Sequence, residues 1–415
     1  MSAECVTESI PQGYKQTEIG VIPKDWTVRR VGEVCDFIVP GRNKPRNFDG
    51  EIPWITIPDL DNGRNVTSSR IGLCISRDEA RSIGSKVVPS GSVLMSCAGE
   101  LGITAITTNE IVINQQLHAF IPTSQINASF LLNVIPAQRF QIEGLATKTS
   151  VSYLNKNNCN SIQIPVPPVA EQEAIAQALT DAGTLIESLE QLIAKKLQIK
   201  QGAMQELLRP KQGDIIRLLR EVSSLKGRIG WQGLKQIEFT TNEEDPFLIT
   251  GMNFKDGAIR WNDVYHVSES RYEIASDIQL RPSDVLMTKD GTIGKVLYID
   301  TIPYPHKASL NSHLLLFRPI KDSYNPKYLY YQLCSQRFKS FVEESKSGTT
   351  FFGLSQAAVG NYPVLLPSMD NQVRIATVLS DMDAEIAALE EKLEKSRRVK
   401  QGMMRELLTG RIRLV

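Results

Sequence analysis

This sequence lacks the excess of positive charge that marks many nucleic-acid-binding proteins. Its 47 Lys and Arg residues nearly balance its 46 Asp and Glu residues, so the formal net charge is +1 at pH 7. Non-specific affinity for DNA comes mainly from neutralised phosphates. The overall charge therefore gives no support to a nucleic-acid role, which must rest on local patches, on the organisation of the chain or on partner subunits.

Long apolar runs and ordered cysteine patterns are also missing. No run approaches the roughly 18–20 residues needed to cross a bilayer, and the N-terminus lacks the basic flank and apolar stretch of a secretory signal. The six cysteines are scattered without a Cys-x-x-Cys pair. That pattern is typical of free thiols and not of a disulfide framework or a zinc site. We therefore expect a cytoplasmic protein that makes no membrane contact.

Motifs for catalysis and for metal binding are absent from the sequence as well. Gly291-Thr-Ile-Gly-Lys295 is too short to be a phosphate-binding loop of the Gly-x-x-x-x-Gly-Lys-Ser/Thr type. No Asn-Pro-Pro-Tyr-like methyltransferase motif occurs, and the four histidines have no metal-ligand spacing. We predict no catalytic residue, no metal site and no cofactor in this chain. A nuclease site built from its many carboxylates is the alternative.

What the sequence does contain is a duplication. The segment that begins at Glu171, EQEAIAQALTDAGTLIESLEQLIAKKLQIKQGAMQELL, aligns without a gap with NQVRIATVLSDMDAEIAALEEKLEKSRRVKQGMMRELL, which begins at Asn371. The regions before these segments also correspond, more loosely, at 92–102 with 284–294, 114–122 with 311–319, and 138–140 with 336–338. The predicted parts are a first domain over 1–168, a long helix over 169–209, a second domain over 210–367, and a second long helix with the C-terminal tail over 368–415.

The two long segments have the apolar spacing of paired helices. Apolar residues recur in alternating steps of four and three in both copies, which is the heptad spacing of a helix-pair core. The predicted core residues are Ile175, Leu179, Ala182, Ile186, Leu189 and Ile193 in the first copy and Ile375, Leu379, Met382, Ile386, Leu389 and Leu393 in the second. Equivalent halves of one chain meet around a pseudo-twofold axis, which makes the pair antiparallel. Packing of each helix on its own domain is the alternative.

Beyond the heptad stripe, each helix ends in a second apolar group. The six residues are Met204, Leu207, Leu208, Met404, Leu407 and Leu408. We expect them to dock on the opposite globular domain or on another subunit, with core packing inside this protein as the alternative. A 38-residue helix is about 57 Å long, enough to hold two domains about one DNA turn, roughly 34–36 Å, apart.

The two globular copies have the patterns of a mixed α+β fold. Short alternating apolar runs bounded by turns predict strands at 52–57, 92–95 and 103–106, and again at 247–250, 284–287 and 295–298. One helix is predicted over 127–142 and one over 325–342. The fold class is therefore α/β in the mixed α+β sense, with two domains built on mixed, curved β-sheets. Gly99-Glu-Leu-Gly102 and Gly291-Thr-Ile-Gly294 are either hairpin turns or phosphate-binding loops.

Three groups of residues are candidates for contact with DNA. The loop at 40–47 combines cations with asparagines, and Arg–guanine and Asn–adenine are favoured pairings at base edges. Two loops at equivalent places in the copies combine a lysine with small hydroxyls, which suits phosphate contact. The candidates are Arg42, Asn43, Lys44, Arg46, Lys148, Thr149, Ser152, Lys346, Thr349 and Thr350, with Lys289, Lys307, Asn311 and His313 as weaker ones. A solvated surface loop remains the alternative in each case.

Two divergent domains alternating with two similar long helices resemble the specificity subunits of type I restriction-modification systems. Lys15-Gln-Thr-Glu-Ile-Gly-Val-Ile-Pro-Lys-Asp-Trp26 looks like the opening of the first target-recognition domain of that family. Pro165-Val-Pro-Pro-Val-Ala-Glu-Gln172 resembles the entry into its first helix, and Leu407-Leu-Thr-Gly-Arg-Ile-Arg413 its C-terminal ending. The second copy departs from this pattern, because it has no comparable Trp-containing opening.

The resemblance implies a non-catalytic subunit that recognises a bipartite, asymmetric sequence in double-stranded DNA. Each recognition domain would recognise one part, and the helices would bind two modification (methyltransferase) subunits that use S-adenosylmethionine to methylate adenine. Restriction subunits, which use ATP and Mg and cut DNA, would join that complex. A DNA-recognition subunit of a related, type II-like modification system and a coiled-coil protein-binding scaffold are the alternatives.

Overall fold

The structure is a computed structural model that describes residues 10–61, 63–147, 151–228, 234–255, 257–345 and 353–414. The chain divides into two compact units, one made of residues 1–190 with 391–415 and the other of residues 191–390. Each unit therefore combines a globular part with segments of both long helices. Within the described ranges, no helix has the length and the apolar character needed to cross a membrane.

The globular part of the first unit is a mixed α/β fold. Its elements are β1 Tyr14–Thr17, β2 Gly20–Pro23, β3 Thr27–Arg30, α1 Val31–Val34, β4 Cys35–Ile38, β5 Ile52–Ile55, β6 Arg64–Val66, β7 Cys74–Ile75, α2 Arg77–Ser82, β8 Val93–Ser96, β9 Thr104–Thr107, β10 Val112–Ile113, β11 Leu117–Pro122, α3 Ala128–Ala137, α4 Arg139–Leu145, α5 Lys156–Asn160 and β12 Gln163–Val166. The long helix α6 follows at Val169–Leu207.

Two mixed sheets form the centre of this part. The larger has the strand order β4-β11-β8-β9-β6 and the smaller β10-β5-β7, while β12 pairs with β3 and β1 with β2. Most neighbours are antiparallel, but β6–β9 and β5–β10 are parallel. The four residues of β8 are fully buried, because the strand lies inside its sheet with apolar clusters on both faces. A buried strand of this kind has apolar residues in succession instead of alternation.

The globular part of the second unit repeats this plan. Its elements are β13 Ile215–Leu218, α7 Leu219–Val222, β14 Ser223–Lys226, β15 Phe239–Thr240, β16 Phe247–Ile249, β17 Phe254–Lys255, β18 Ala258–Ile259, β19 Tyr265–Val267, α8 Glu269–Ile274, β20 Val285–Thr288, β21 Val296–Tyr298, β22 Ala308–Leu310, β23 Leu314–Pro319, α9 Pro326–Cys334, α10 Gln336–Ser345, α11 Gln356–Gly360 and β24 Pro363–Leu366. The second long helix, α12, follows at Met369–Leu407.

The sheet orders confirm the internal repeat that the sequence predicts. The larger sheet of the second unit has the order β14-β23-β20-β21, which matches β4-β11-β8-β9 of the first unit. The smaller sheet has the order β15-β19-β16-β22, which matches β7-β5-β10 with β15 as an added strand. The pair β13–β24 matches β3–β12, and β16–β22 is parallel like its counterpart. The mixed α/β class and the two long helices are therefore confirmed.

The helices predicted over 127–142 and 325–342 are each broken in two. Gln138 leaves the helical conformation at the end of α3, two residues after the internal Pro136. Ser335 is extended, and its hydroxyl accepts the backbone N–H of Phe338 at 3.3 Å, which starts α10. Proline and a capping serine explain both breaks.

The shared Gln-Arg-Phe motif at these breaks is not structurally equivalent. Phe140 is 92% exposed, whereas Phe338 is fully buried against Phe341 and Tyr362. The helices that contain them also differ, since Phe140 lies in the 7-residue α4 and Phe338 in the 10-residue α10. The short sequence match at 138–140 therefore does not identify side chains with the same role.

Candidate nucleic-acid interface and helix pair

Three separate segments converge at one edge of the first globular part. The N–H of Cys97, just after β8, donates to the carbonyl of Gln116 in the turn before β11, at 2.8 Å. The carbonyl of Cys97 accepts the N–H of Leu154 at 2.8 Å, and the Gly99 N–H donates to the Ser152 carbonyl at 2.9 Å. The candidate residue Ser152 thus lies at this edge, with an exposed side chain.

The same three segments converge in the second globular part through equivalent hydrogen bonds. The N–H of Lys289 donates to the carbonyl of His313 at 2.9 Å, and the N–H of Leu354 donates to the carbonyl of Lys289 at 2.9 Å. The amide Oδ1 of Asn311 accepts the His313 N–H at 3.1 Å. The fold therefore brings together Lys289, Asn311 and His313, which are remote in sequence. We call this edge of each part the convergent edge.

The candidate loop at 40–47 lies beside the convergent edge of the first part. The side-chain amide of Gln115 donates to the carbonyls of Gly41 at 3.1 Å and Asn43 at 3.0 Å, and the Gly41 N–H donates to Ser85 Oγ at 2.9 Å. These bonds hold the loop backbone and leave its side chains exposed. The exposed candidates are Arg42, Asn43, Lys44 and Arg46. Within the described part of the chain, the three cations have no ion-pair partner.

Lys307 does not join the other candidates. It precedes β22, whereas Asn311 follows it, so the two lie at opposite ends of one strand. Its ammonium is ion-paired with Glu269 at 2.7 Å, and that carboxylate raises the pKa of the lysine. Five further candidates, Lys148, Thr149, Lys346, Thr349 and Thr350, lie outside the described residues.

The sequence analysis did not identify the turn at 114–116 as part of the convergent edge in the first copy. The alignment of 114–122 with 311–319 was the available signal, because it pairs Asn114 with the candidate Asn311. Lys156 was also missed. Its ammonium lies 4.5 Å from the centre of the Phe37 ring, which stacks on His118. Burial lowers the pKa of His118 to about 4, so this ring is neutral at pH 7.

The two Gly-x-x-Gly segments are hairpin turns. Gly99 and Gly102 have φ of 73° and 80°, and the turn joins the antiparallel pair β8–β9. Ser96 Oγ donates to the carbonyl of Glu100 at 2.6 Å and accepts the N–H of Ile103 at 2.8 Å. Thr288 makes the equivalent bonds in the second copy, where the N–H of Lys295 donates to it at 3.0 Å. The positive φ values explain why glycine occupies these positions.

In the first unit, the start of α6 lies against the end of α12. Ile175, Ala176 and Leu179 share one apolar cluster with Leu407 and Leu408. Farther along, the carboxylate of Glu190 pairs with the guanidinium of Arg397 at 2.9 Å. The residue numbers of the contacting pairs therefore rise along α6 while they fall along α12, so the two helices are antiparallel.

The second unit has the reciprocal arrangement. Ile375, Ala376 and Leu379 cluster with Leu208, and the ammonium of Lys196 pairs with Glu385 at 2.6 Å. Lys200 pairs with Asp383, which also accepts the hydroxyl of Tyr331 at 2.8 Å. The helices are thus antiparallel in both units. The predicted core residues are buried or half-buried, with Ala182, Met382 and Leu389 half-buried.

The antiparallel register determines what the apolar helix ends contact. Leu208, Leu407 and Leu408 are 8%, 4% and 1% exposed, because they face the first turns of the other helix and the adjoining globular part. Met204, Leu207 and Met404 are half-buried in the same clusters. Leu407 and Leu408 therefore lie in the apolar cluster of the first globular part, and Leu208 lies in the cluster around Ile375 and Leu379.

A repeated glutamine fixes the start of each long helix. Gln172 Oε1 accepts the N–H of Asn127 at 2.8 Å, and its amide donates to the carbonyl of Pro167 at 2.9 Å. Gln372 makes the same two bonds to Asn325 and Pro367, both at 2.9 Å. Across the described ranges, no group of three or more His, Cys, Asp or Glu is placed to hold a metal ion.

Comparisons with known proteins agree with the repeated architecture. The family model for the type I restriction modification DNA specificity domain matches this chain twice, at residues 23–198 and 231–396. The type I restriction enzyme MjaIX specificity subunit of Methanocaldococcus jannaschii is 22% identical over 437 residues, which cover 97% of this chain and 96% of that protein. The MjaVIII specificity subunit of the same organism is 23% identical over 431 residues, covering 97% and 96%.

A solved structure has the same fold. The S subunit of a type I restriction-modification system from M. genitalium superposes with a TM-score of 0.60 at 15% identity, covering 92% of this chain and 96% of that one. Together, the two family matches span most of the sequence and coincide with the two structural copies. The chain therefore belongs to the family of type I restriction modification DNA specificity domains, of which it contains two.

Proposed function

We propose that this chain is the specificity subunit of a type I restriction-modification complex and that its two globular parts recognise the two halves of a bipartite, asymmetric DNA target. In this proposal residues 1–168 and 210–367 are the recognition domains, and 169–209 and 368–415 are the helices that set the spacer. The chain has no catalytic role of its own.

The observation that carries the proposal is the convergent edge, which has one backbone plan and two sets of side chains. Gln116 and His313 occupy equivalent hydrogen-bonding positions, and both side chains are exposed. Their backbone partners Cys97 and Lys289 differ in the same way, with Cys97 buried and Lys289 half-buried. Side chains that donate and accept hydrogen bonds differently distinguish different base edges. Two recognition domains that share one backbone arrangement but carry different side chains can recognise two different DNA sequences.

The partners in this proposal are double-stranded DNA, two methyltransferase subunits and restriction subunits. S-adenosylmethionine would be used by the methyltransferase subunits, and ATP and Mg by the restriction subunits. The low net charge supports a need for partners, because phosphate neutralisation supplies most non-specific affinity. We expect weak DNA binding by the chain alone and tight, sequence-specific binding with the methyltransferase.

Methylation-sensitive sequencing of DNA from cells that express this chain with its methyltransferase tests the proposal directly. We expect one bipartite methylated motif. Replacing residues 215–360 with the corresponding part of another family member should change one half of the motif only. A change in both halves, or methylation without sequence preference, would contradict the assignment of one half to each part.

A matched pair of substitutions tests the convergent edge itself. Lys289→Ala should relax or abolish recognition in one half of the motif, because Lys289 lies at the edge. Lys307→Ala should leave the motif unchanged, because Lys307 lies at the far end of β22 and is ion-paired with Glu269. Equal effects of the two substitutions would place the DNA contact elsewhere on the domain.

A further inference from the structure

An exposed methionine lies at the convergent edge of the second unit. Met252 is the middle residue of the short 3₁₀ helix Gly251–Asn253, which begins two residues after the end of β16, and its side chain is 80% exposed. The carbonyl of Ile249, the last residue of β16, accepts the N–H of Asn311 at 2.9 Å. The short helix therefore leaves the sheet beside Asn311, one of the candidate residues for DNA contact.

The backbone of the same short helix also lies against the end of β20. A Cβ atom on Gly251 would be 3.2 Å from the side-chain methyl carbon of Thr288, and Thr288 directly precedes the candidate Lys289. Because the segments packed beside it lead into two of the candidates for DNA contact, Met252 belongs to the convergent edge.

Buried hydrogen bonds hold the short helix in one conformation. Asn253 is 5% exposed, and its Oδ1 accepts both the backbone N–H and the hydroxyl of Thr250 at 2.8 Å. The side-chain amide of Asn253 donates to the carbonyl of Asp263 at 3.1 Å. The backbone of Met252 is thus fixed before any ligand binds, which lowers the entropy lost when its side chain makes a contact.

The first unit has the same arrangement after β5, the counterpart of β16. Thr56 and Asp59 replace Thr250 and Asn253, and Asp59 Oδ2 accepts the N–H and the hydroxyl of Thr56, both at 2.7 Å. The residue at the position of Met252 is Pro58, which is also exposed. One exposed apolar residue is ordinary on a protein surface, but here a buried anchor presents one at the same edge in both units.

We propose that Met252 is a specificity-determining residue of the second recognition domain, and that its side chain packs on the C5-methyl group of a thymine in the major groove of the target. The inference rests on the proposed function. Lys289 and Asn311, beside Met252, are of the residue types that contact guanine and adenine in the major groove, where thymine alone presents a methyl group. A methionine side chain is uncharged and adapts to apolar surfaces, so it suits contact with a base and not with a phosphate.

The test uses the full chain in complex with its methyltransferase, and duplexes that carry the motif methylated by that complex. Each thymine in the half assigned to residues 210–367 is replaced in turn by deoxyuridine, which lacks only the C5-methyl group. At one position the affinity of the wild-type complex should fall about fourfold, the effect of losing one buried methyl group. Met252→Ala should bind the unmodified duplex about tenfold more weakly and should no longer distinguish thymine from deoxyuridine there. The salt dependence of binding should not change, because no phosphate contact is lost.

Two variants serve as controls. Met252→Leu keeps an apolar side chain of similar size and should recover most of the affinity that Met252→Ala loses. Ile237→Ala should bind like wild type, although Ile237 is 90% exposed. Ile237 precedes β15, which runs in the same direction as β16, whereas the convergent edge follows β16, so this side chain lies at the other end of the sheet.

The outcomes separate this inference from the proposed function. A wild-type complex that methylates no bipartite motif would overturn both. A clear wild-type motif with no thymine in that half at which deoxyuridine weakens binding would overturn the inference alone, and so would a Met252→Ala complex as tight and as selective as wild type. The deoxyuridine series uses the wild-type protein, so its result does not depend on how any variant folds.

Discussion

Removal of the Arg413 side chain should destabilise the first unit far more than removal of its near neighbour Arg411. The guanidinium of Arg413 donates to the two carboxylate oxygens of Glu171 at 2.5 and 2.7 Å and also pairs with Asp25 at 2.7 Å. Glu171 is 0% exposed, and its other partner is the indole N–H of Trp26 at 2.9 Å. The C-terminal tail is thereby held on the first globular part.

The magnitude follows from what Arg413→Ala would leave behind. A buried carboxylate that loses its cation costs about 3–5 kcal/mol. We expect about 3 kcal/mol, the lower end, because the Arg413 side chain is 31% exposed and water can enter the vacated space. The pair with Asp25 adds little, since that carboxylate is 52% exposed and such pairs contribute about 0–1 kcal/mol.

Urea denaturation followed by tryptophan fluorescence measures this difference, because Trp26 is fully buried beside the pair. Arg411 is 63% exposed and lies 4.0 Å from Glu406, so Arg411→Ala should stay within about 0.5 kcal/mol of wild type. In a Glu171→Gln background, Arg413→Ala should cost less, because no buried charge is then left unpaired. Equal free energies of unfolding for Arg413→Ala and Arg411→Ala would refute the reasoning.

Three further predictions concern other parts of the fold. The free energy of unfolding of the first unit should fall by about 3 kcal/mol between pH 6.5 and pH 4. Over this range His118 is protonated in the unfolded chain, whereas the folded ring stays mostly neutral until pH 4, because its pKa is about 4. Urea denaturation at a series of pH values should find this slope in wild type and not in a His118→Gln variant. Lys200→Asp should destabilise the second unit by about 1 kcal/mol, and adding Asp383→Lys should restore most of the loss, because the pair is then reversed; a double variant no more stable than the single one would contradict the pairing. Gln172→Ala and Gln372→Ala should each cost about 2–3 kcal/mol by thermal denaturation, because each removes at least two buried hydrogen bonds; losses below about 0.5 kcal/mol would contradict a role in anchoring the helices.

The long helices and the repeat could be predicted from the sequence because both signals are local or additive. Ile175 and Leu179 recur with helical spacing, and the same spacing returns at Ile375 and Leu379. A periodic pattern over 38 residues defines a helix whatever it packs against. The observed helices, Val169–Leu207 and Met369–Leu407, begin two residues before the aligned segments and end one residue before them.

The convergent edge was not predictable in the same way, because it depends on bonds between residues far apart in sequence. Cys97 meets Gln116 and Leu154 through backbone groups that have no sequence signature. Candidates chosen by residue type alone therefore mixed Lys289, which lies at the edge, with Lys307, which does not. The contacts of Leu408 stayed open between docking and core packing for a related reason, since an antiparallel register sets it beside the first turns of α6 and the stripe alone does not define a register.

Charge fixes the orientation of the helix pair more directly than the apolar stripe does. Residues 169–190 contain five carboxylates and no Lys or Arg, whereas residues 191–207 contain three lysines and one glutamate. The second helix has the same polarity, with five carboxylates and one arginine over 369–390 and six cations against three carboxylates over 391–407. Such an order also matches the helix dipole.

A parallel pair would place acidic halves side by side, whereas an antiparallel pair matches acid with base in each unit. The pairs Glu190–Arg397 and Lys196–Glu385 are the observed outcome. Each such pair contributes little alone, but like charges along two whole helices would repel, so the opposite orientation is disfavoured throughout. Because this polarity belongs to the helices and not to the globular parts, residues at the convergent edges can differ between the copies without changing how the helices pair.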